Sequence, residues 1–361
     1  MLRRLTAILL AGSLAFAPAA NACTGIQLTA EDGTVVAART LEFGMDLAPK
    51  VTVVPAGTEV TGELPDGADG VTFKTKYGIV GMSALDQLVI VDGINEGGLY
   101  VGLFYFPGYA SYPDLVPENR GRALAPQQYG LWLLANFSSI DEVKAHYADV
   151  VLAPTVVEEL GGPAPVHYVV HDRTGKSVVI EPVGGSLKIH DNPLGVVTNA
   201  PTFDWHMTNL SNYVNLTVTN APPATLSELK VSSFGQGSGM HGLPGDFTPP
   251  SRFVRAVAFS QSAMPVDTGR DAVLQAFHIL NNFDIPKGAV RGEDDGKPAP
   301  DYTQWTAASD LQALVWTVKT YDDQTLRSVD LESALKAAGD KIMYIDPDWQ
   351  QPITDISTQF K

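Results

Sequence analysis

The chain has 361 residues and only one cysteine, Cys23. A single thiol excludes an intrachain disulfide and a zinc site built on several thiolates. Basic charge is also scarce: 24 Lys and Arg stand against 40 Asp and Glu, a formal net charge of −16. So acidic a chain does not attract nucleic acid or an anionic membrane through charge, and neither is expected as a partner. Past residue 22 no apolar run is long enough to cross a bilayer, so no membrane anchor is expected in the mature form. Internal repeats and low-complexity linkers are missing too. Residues 23–361 therefore read as one domain with a substantial core.

What is present begins with the first 22 residues. Arg3 and Arg4 precede an apolar run from Leu5 to Ala17, and Ala20, Asn21 and Ala22 stand immediately before Cys23. This is the pattern of a secretory leader cut after Ala22, which places the mature protein in the periplasm or outside the cell. The lone thiol would then be residue one. Three readings of Cys23 compete: a small buried apolar residue, a lipoprotein acylation site, or an N-terminal nucleophile. The usual Leu three places upstream of a lipoprotein cysteine is missing. An α-amino group titrates near pKa ~8, so at residue 23 it can serve as the base for its own thiol.

Strand signals follow at once. TGIQLTA, the turn EDG and TVVAART form a hairpin that brings Cys23 and Arg39 to one end. Further strand-like runs are 51–55, 71–81, 87–91 and 98–106. Helical patterns cover 126–137, a segment opened by the capping box Ser139-x-x-Glu142, 251–263 and 269–283. Between them lie a hairpin turning at Asp172 to Lys176 and the short strands 187–191 and 195–199. An acidic loop is expected over 292–301, and the chain returns to strand through TQWTAA, LQALVWTVKTYD and KIMYI. Strands at both ends with helices between them predict an α+β domain in which helices cover stacked sheets.

Several motifs compete for a functional role. Gly237-x-Gly239-x-x-Gly242 matches the dinucleotide fingerprint literally but lacks the strand before it and the helix after it, so no cofactor is expected there. Ser238 is not in a nucleophile elbow. His167 and His171 share one face, but no third ligand stands at a recognisable spacing, so no metal is expected and both read as ordinary hairpin residues. His146, His190, His206, His241 and His278 are scattered. Arg39 and Glu42 end the return strand of the first hairpin. There an arginine lowers the pKa of a nearby thiol and a carboxylate can hold an α-amine; the alternative is a surface ion pair of little energetic worth. Asn95 and Asn199 each follow an apolar strand, where an amide could stabilise an oxyanion at about 3 kcal/mol per donor or simply shape a turn.

Taken together, CTGIQLTAEDGTVVAARTLEFG, DGINEGGLYVGLFYFPGYASYP, GVVTNAPTFDWHMTNLSNY and GLPGDFTPPSRFVRAVAF resemble the choloylglycine hydrolase family of N-terminal nucleophile hydrolases. The family includes bile salt hydrolases and penicillin V acylases. The resemblance runs co-linearly from Cys23 to about Ile345. It implies a four-layer αββα fold and cleavage of linear amide bonds through a thioester. It also implies Cys23 as nucleophile, Arg39 near the thiol, and Glu42 where many members have Asp. Asn95 and Asn199 would be the two asparagines, at least one forming the oxyanion hole, and Arg252 the arginine that stabilises the site by charge. Phe43 replaces a common Trp. The leader is like that of exported Gram-negative members, among them acylases of penicillin V and of N-acyl homoserine lactones, which is the first expectation here. A bile salt hydrolase is the second, and a non-catalytic binding protein or lipoprotein is the alternative of another class. The expected partner is a small amide with an apolar acyl chain; a homotetramer is also an expectation. The aromatic residues of YVGLFYFPGYASYP are expected to line the acyl pocket.

Overall fold

A computed structural model describes residues 22–294 and 297–360. Strand β1 (Cys23–Thr29) turns through Gly33 into β2 (Val35–Phe43), as the alternation of the sequence predicts. The antiparallel register sets Cys23 opposite Leu41 and Gly25 opposite Arg39. Beyond β2 the sheet continues with Lys297–Asp310, Val315–Thr320 and Arg327–Asp330, while Val290–Asp294 pairs back onto Lys297–Asp310. The free edge of β1 is met by Val197, whose N–H and carbonyl both bond to Gly25, at 3.1 and 2.8 Å.

The second sheet is built on β3 (Lys50–Val54), with β4 (Glu59–Glu63) and β5 (Asp69–Lys74) leaving it as a separate ribbon. It resumes with β6 (Ile79–Ala84), β7 (Gln87–Asn95) and β8 (Leu99–Tyr105). Its order is Ser186–Asp191, Ser177–Val183, Val166–Asp172, β8, β7, β6, β3 and Met343–Ile345.

The two-residue period of β8 shows how the layers assemble. Leu99, Val101 and Leu103 point to one face and share a core with Leu131 and Leu134 of the helix Tyr129–Asn136. Tyr100 and Phe104 point to the other face, into a core that holds Ile26, Val36 and Ala38 of the first sheet. Helices Pro249–Ser262 and Gly269–Leu280 cover the far side of that first sheet. The result is the expected α+β stack of helices, sheet, sheet and helices. No helix among the described residues is long and apolar enough to cross a membrane.

Four expectations need correction. The run 71–81 is not one strand: it breaks after Lys74, where Lys76 N bonds to Ala135 O, and its halves enter different sheets. Residues 195–199 make an isolated bridge instead of a strand. The stretch 292–301 is not a loop but the two arms of a hairpin, whose tip lies outside the described residues. Its Pro298 and Pro300 are tolerated because β2 pairs with this strand only from Tyr302 onward, leaving one side of the arm unpaired. The helix opened by Ser139, which the pattern SIDEVKAHYADVV predicts to run to Val151, ends at His146.

The helix Tyr129–Asn136 lies close against the sheet at Gly130, where a Cβ would come within 2.4 Å of Leu103 Cδ1 and 3.0 Å of Ile90 O. Gly130→Val is expected to lower stability by about 1–3 kcal/mol through overpacking. The measurement is the urea midpoint at unchanged m.

Candidate active site

The start of β1 is fully inside the protein: Cys23 is 3% exposed, and its neighbour Thr24 is buried as well. In the full-length chain, Cys23 N is a peptide nitrogen joined to Ala22. It donates to Asn199 Oδ1 at 2.8 Å. The same oxygen accepts from Arg252 Nη2 at 2.6 Å, while Asn199 Nδ2 donates to the carbonyl of Tyr105 at 2.8 Å. With two donors on one side and an acceptor on the other, the network fixes the orientation of this amide.

Arg252 lies in the first turn of the helix Pro249–Ser262, where the chain turns in after two prolines. Its Nε bonds to Phe247 O at 2.9 Å. Its Nη1 bonds to the Cys23 carbonyl and, at 2.9 Å, to Thr24 Oγ1. Burial pulls its pKa down to about 10, with the charges of Glu42 and Cys23 opposing the shift, so it stays a cation at neutral pH.

Arg39, paired with Gly25 across the hairpin, points between the sheets. Its Nη1 bonds to Leu103 O at 2.5 Å, and its guanidinium lies 4.3 Å from the centroid of the Phe104 ring. Burial works against its charge, yet Cys23, Asp92, Tyr100 and Glu42 hold its pKa above the usual value. Glu42 is buried too and accepts from Thr303 Oγ1 at 2.9 Å. Burial pushes its carboxyl up to about 8 against the pull of Arg252, Thr40, Thr303 and Arg39. The Arg39 and Glu42 pair is therefore no surface ion pair; both belong to the surroundings of Cys23.

Asn95 does not join them. Ile94 faces the first sheet, so the next residue along the strand faces the helices. There Asn95 Nδ2 bonds to the carbonyls of Leu134 and Phe137, both at 2.7 Å, and its Oδ1 accepts from Leu99 N at 3.0 Å. Its donors are already used in closing the end of a helix.

Two residues not singled out from the sequence stand nearby instead. Tyr105 offers its carbonyl to Asn199 and packs edge-on against Phe43 at 5.5 Å. Asp92, three residues before Asn95, accepts from Trp305 Nε1 at 2.7 Å and Trp316 Nε1 at 3.0 Å and lends its charge to Arg39. Strand parity relative to Ile94 is the signal for Asp92; Tyr105 carries none beyond lying in the aromatic run.

Cys23 lines a cavity together with Leu41, Phe43, Val91, Leu103 and Tyr105, with Gln87 and Gln127 also on its wall. Of the rings in 100–112, only Tyr105 reaches it. Phe104 lies under Arg39, Phe106 stacks on His167 at 4.3 Å, and Tyr112 bonds to Ala164 O. The glycine motif is a loop with one short turn at Ser238–Met240, tied down by Asn220. No group of three or more His, Cys, Asp or Glu is placed to hold a metal among the described residues.

Comparison with known proteins places the chain in a family. The family described as linear amide C–N hydrolases, choloylglycine hydrolase family, matches residues 23–344. A bile salt hydrolase/transferase from Clostridium perfringens is 33% identical over 86% of this chain and 92% of its own length. One from Bifidobacterium longum is 31% identical over 85% and 94%. Among solved structures, a mutant conjugated bile acid hydrolase from Clostridium perfringens superposes with a TM-score of 0.80 at 28% identity, over 93% of this chain and 100% of that one. The penicillin V acylase of Agrobacterium tumefaciens shares the fold, with a TM-score of 0.70 at 23% identity over 90% and 91%. The chain belongs to the choloylglycine hydrolase family, and it is a hydrolase of linear amide C–N bonds.

Two outcomes follow from the geometry. Asn95→Ala strips partners from two buried carbonyls and an amide, and should cost about 2–4 kcal/mol of stability. Its turnover per folded molecule should stay at the wild-type value, as measured by activity after normalising to the folded fraction. In a chain that keeps Ala22, the folded Glu42 retains its proton up to about pH 8, whereas a free glutamate side chain titrates at 4.5. Folded protein thus binds the extra proton across that window, and stability falls as pH rises through it. Glu42→Gln should flatten that slope in a series of denaturation midpoints from pH 5 to 8.

Proposed function

We propose that residues 1–22 are removed during export and that Cys23, as residue one, hydrolyses amides with an apolar acyl group. The observation that carries this reading is the convergence of Asn199 Oδ1 and Arg252 on the nitrogen and carbonyl of Cys23. Freed from Ala22, that nitrogen becomes an amine held by the same oxygen. Two buried guanidinium groups close by disfavour its ammonium form and favour a thiolate, so the amine can take the thiol proton. The thiolate attacks the acyl carbonyl and forms a C–S bond. The second hydrogen of Asn199 Nδ2, left over after Tyr105, is available to the developing oxyanion. The C–N bond breaks as the amine passes its proton to the leaving nitrogen. Water, giving a proton to the amine, then adds to the thioester; the C–S bond breaks, the proton returns to the Cys23 sulfur, and the acid leaves.

For the acyl group, the cavity beyond Cys23 supports a phenoxyacetyl or aliphatic chain, as in penicillin V or an N-acyl homoserine lactone. The lining of that cavity is mostly apolar, with Gln87 and Gln127 as polar side chains, so a hydroxyl-bearing steroid nucleus finds fewer hydrogen-bond partners there than it needs, whereas a phenoxyacetyl or aliphatic chain needs few. Bile salts are the second reading, favoured by the names of the relatives at 31–33% identity.

A panel of penicillin V, glycocholate and long-chain acyl homoserine lactones, assayed with wild type and with Cys23→Ala and Cys23→Ser, tests both levels. The wild type should release amine from at least one of them, and both variants should lose activity by about 1,000-fold or more. Wild-type turnover by the Ala form would end the nucleophile assignment. Intact mass should begin at an unmodified Cys23; acyl chains on that residue would instead show a lipoprotein with its thiol and amine blocked.

A further inference from the structure

Residues 192–202 carry Asn199 across the edge of β1, yet they belong to no strand; their β-bridge to a sheet is the one between Val197 and Gly25, and Asn192 N bonds to Ser177 O at 3.0 Å at their start. The place of Asn199 is set by side chains that hold its backbone from two directions. On one side His167, in the strand Val166–Asp172, puts Nε2 3.0 Å from Thr198 O. On the other side His206, in the helix Phe203–Asn209, puts Nε2 2.9 Å from Asn199 O. Two successive carbonyls, one immediately before Asn199 and one its own, are thereby gripped by two imidazoles. Because a carbonyl only accepts, both Nε2 atoms carry hydrogen.

His167 is itself fixed by a neighbour. Its Nδ1 lies 3.3 Å from Glu181 Oε1, and the same oxygen accepts from Phe203 N at 2.9 Å, at the start of the helix that bears His206. His190 Nε2 stands 3.6 Å from Glu181 Oε2. His167 and Glu181 are each 1% exposed, and Phe106 stacks flat on the imidazole. A buried carboxylate with these partners holds ring and helix in one geometry, as an outer layer of support does for a reacting group.

Resting on the amide-hydrolase reading above, we infer that His167, oriented by Glu181, is a positioning residue for the reaction at Cys23: its hold on the Thr198 carbonyl sets the Asn199 amide against the Cys23 nitrogen. The reaction depends on that register because Asn199 makes three bonds at once, to Cys23, Arg252 and Tyr105. A rotation of the 198–199 peptide breaks the alignment without emptying the acyl cavity, so the damage falls on kcat and not on KM.

The experiment compares three substitutions at His167 in the mature enzyme. Rates are divided by the folded fraction of each variant, read from its denaturation curve, so that misfolded protein is told apart from slow protein. His167→Phe keeps the stack on Phe106 but cannot donate, and should lower kcat about 100-fold with KM within about threefold. His167→Gln can bring an amide N–H to the reach of Nε2 and should return kcat to within about tenfold of wild type. His167→Asn has the same chemistry one methylene shorter, reaches only toward Glu181, and should stay as slow as the Phe form. If the Phe form does not fold, the Gln and Asn pair decides. Equal kcat in Gln and Asn, or a wild-type kcat in Phe, overturns the inference while leaving the hydrolase intact. A wild-type enzyme that releases no amine from any substrate of the panel overturns the functional reading itself.

Discussion

A guanidinium taken wholly out of water destabilises a fold unless its donors are met and its charge is balanced. Arg252 satisfies this by holding its own helix entry and reaching into two distant parts of the chain at once. It bonds to the carbonyl before its own helix, to the first two residues of β1, and to the amide oxygen of Asn199. Glu42, buried on β2, stands close enough for its carboxylate form to oppose the fall in the Arg252 pKa, although burial keeps it protonated up to about pH 8. Moving any one of these segments would leave part of the guanidinium without partners. Helix, strand and loop are therefore located relative to one another by the demands of one cation, and Cys23 sits at the point where they meet.

A second buried cation carries the arrangement from one sheet to the other. Arg39 starts on β2 and ends on the carbonyl of Leu103 and the ring of Phe104, both on β8. Asp92 on β7, held by the indoles of Trp305 and Trp316 from the first sheet, offsets its charge. Buried charges that face one another in this way contribute little net stability, because desolvation takes back most of the attraction. What they provide is register: the two sheets cannot slide without separating charges in a medium that screens them poorly. Cys23 is thus placed at the start of a strand and lines a cavity whose walls come from both sheets.

Part of this arrangement is legible in the order of the amino acids. The hairpin of β1 and β2 follows from alternation and a glycine turn, and its register alone brings Arg39 across from Gly25. Other features are hidden for identifiable reasons. Asn95 has the residue type and the neighbourhood expected of an oxyanion donor, but one step along a strand reverses the face, and it ends up binding the end of a helix. The stretch 292–301 has the acidic, Pro-containing composition of a loop, yet pairs as a hairpin because part of it lies on an open edge. Residues 195–199 look like a strand and have none to join beyond Gly25, so the segment bearing Asn199 is held by the side chains of His167 and His206.

Local periodicity and turn chemistry operate over a few residues, and they are enough to set the order of the layers, the hairpin that starts the domain, and a lone thiol placed behind a leader-like segment. They leave open which amide meets the Cys23 nitrogen and which closes a helix, and whether Glu42 is buried deeply enough to keep its proton up to about pH 8. Tertiary packing settles those questions, because the answers depend on contacts between residues 23, 199 and 252 and on the water excluded around them. Neither is encoded within the span of any single motif.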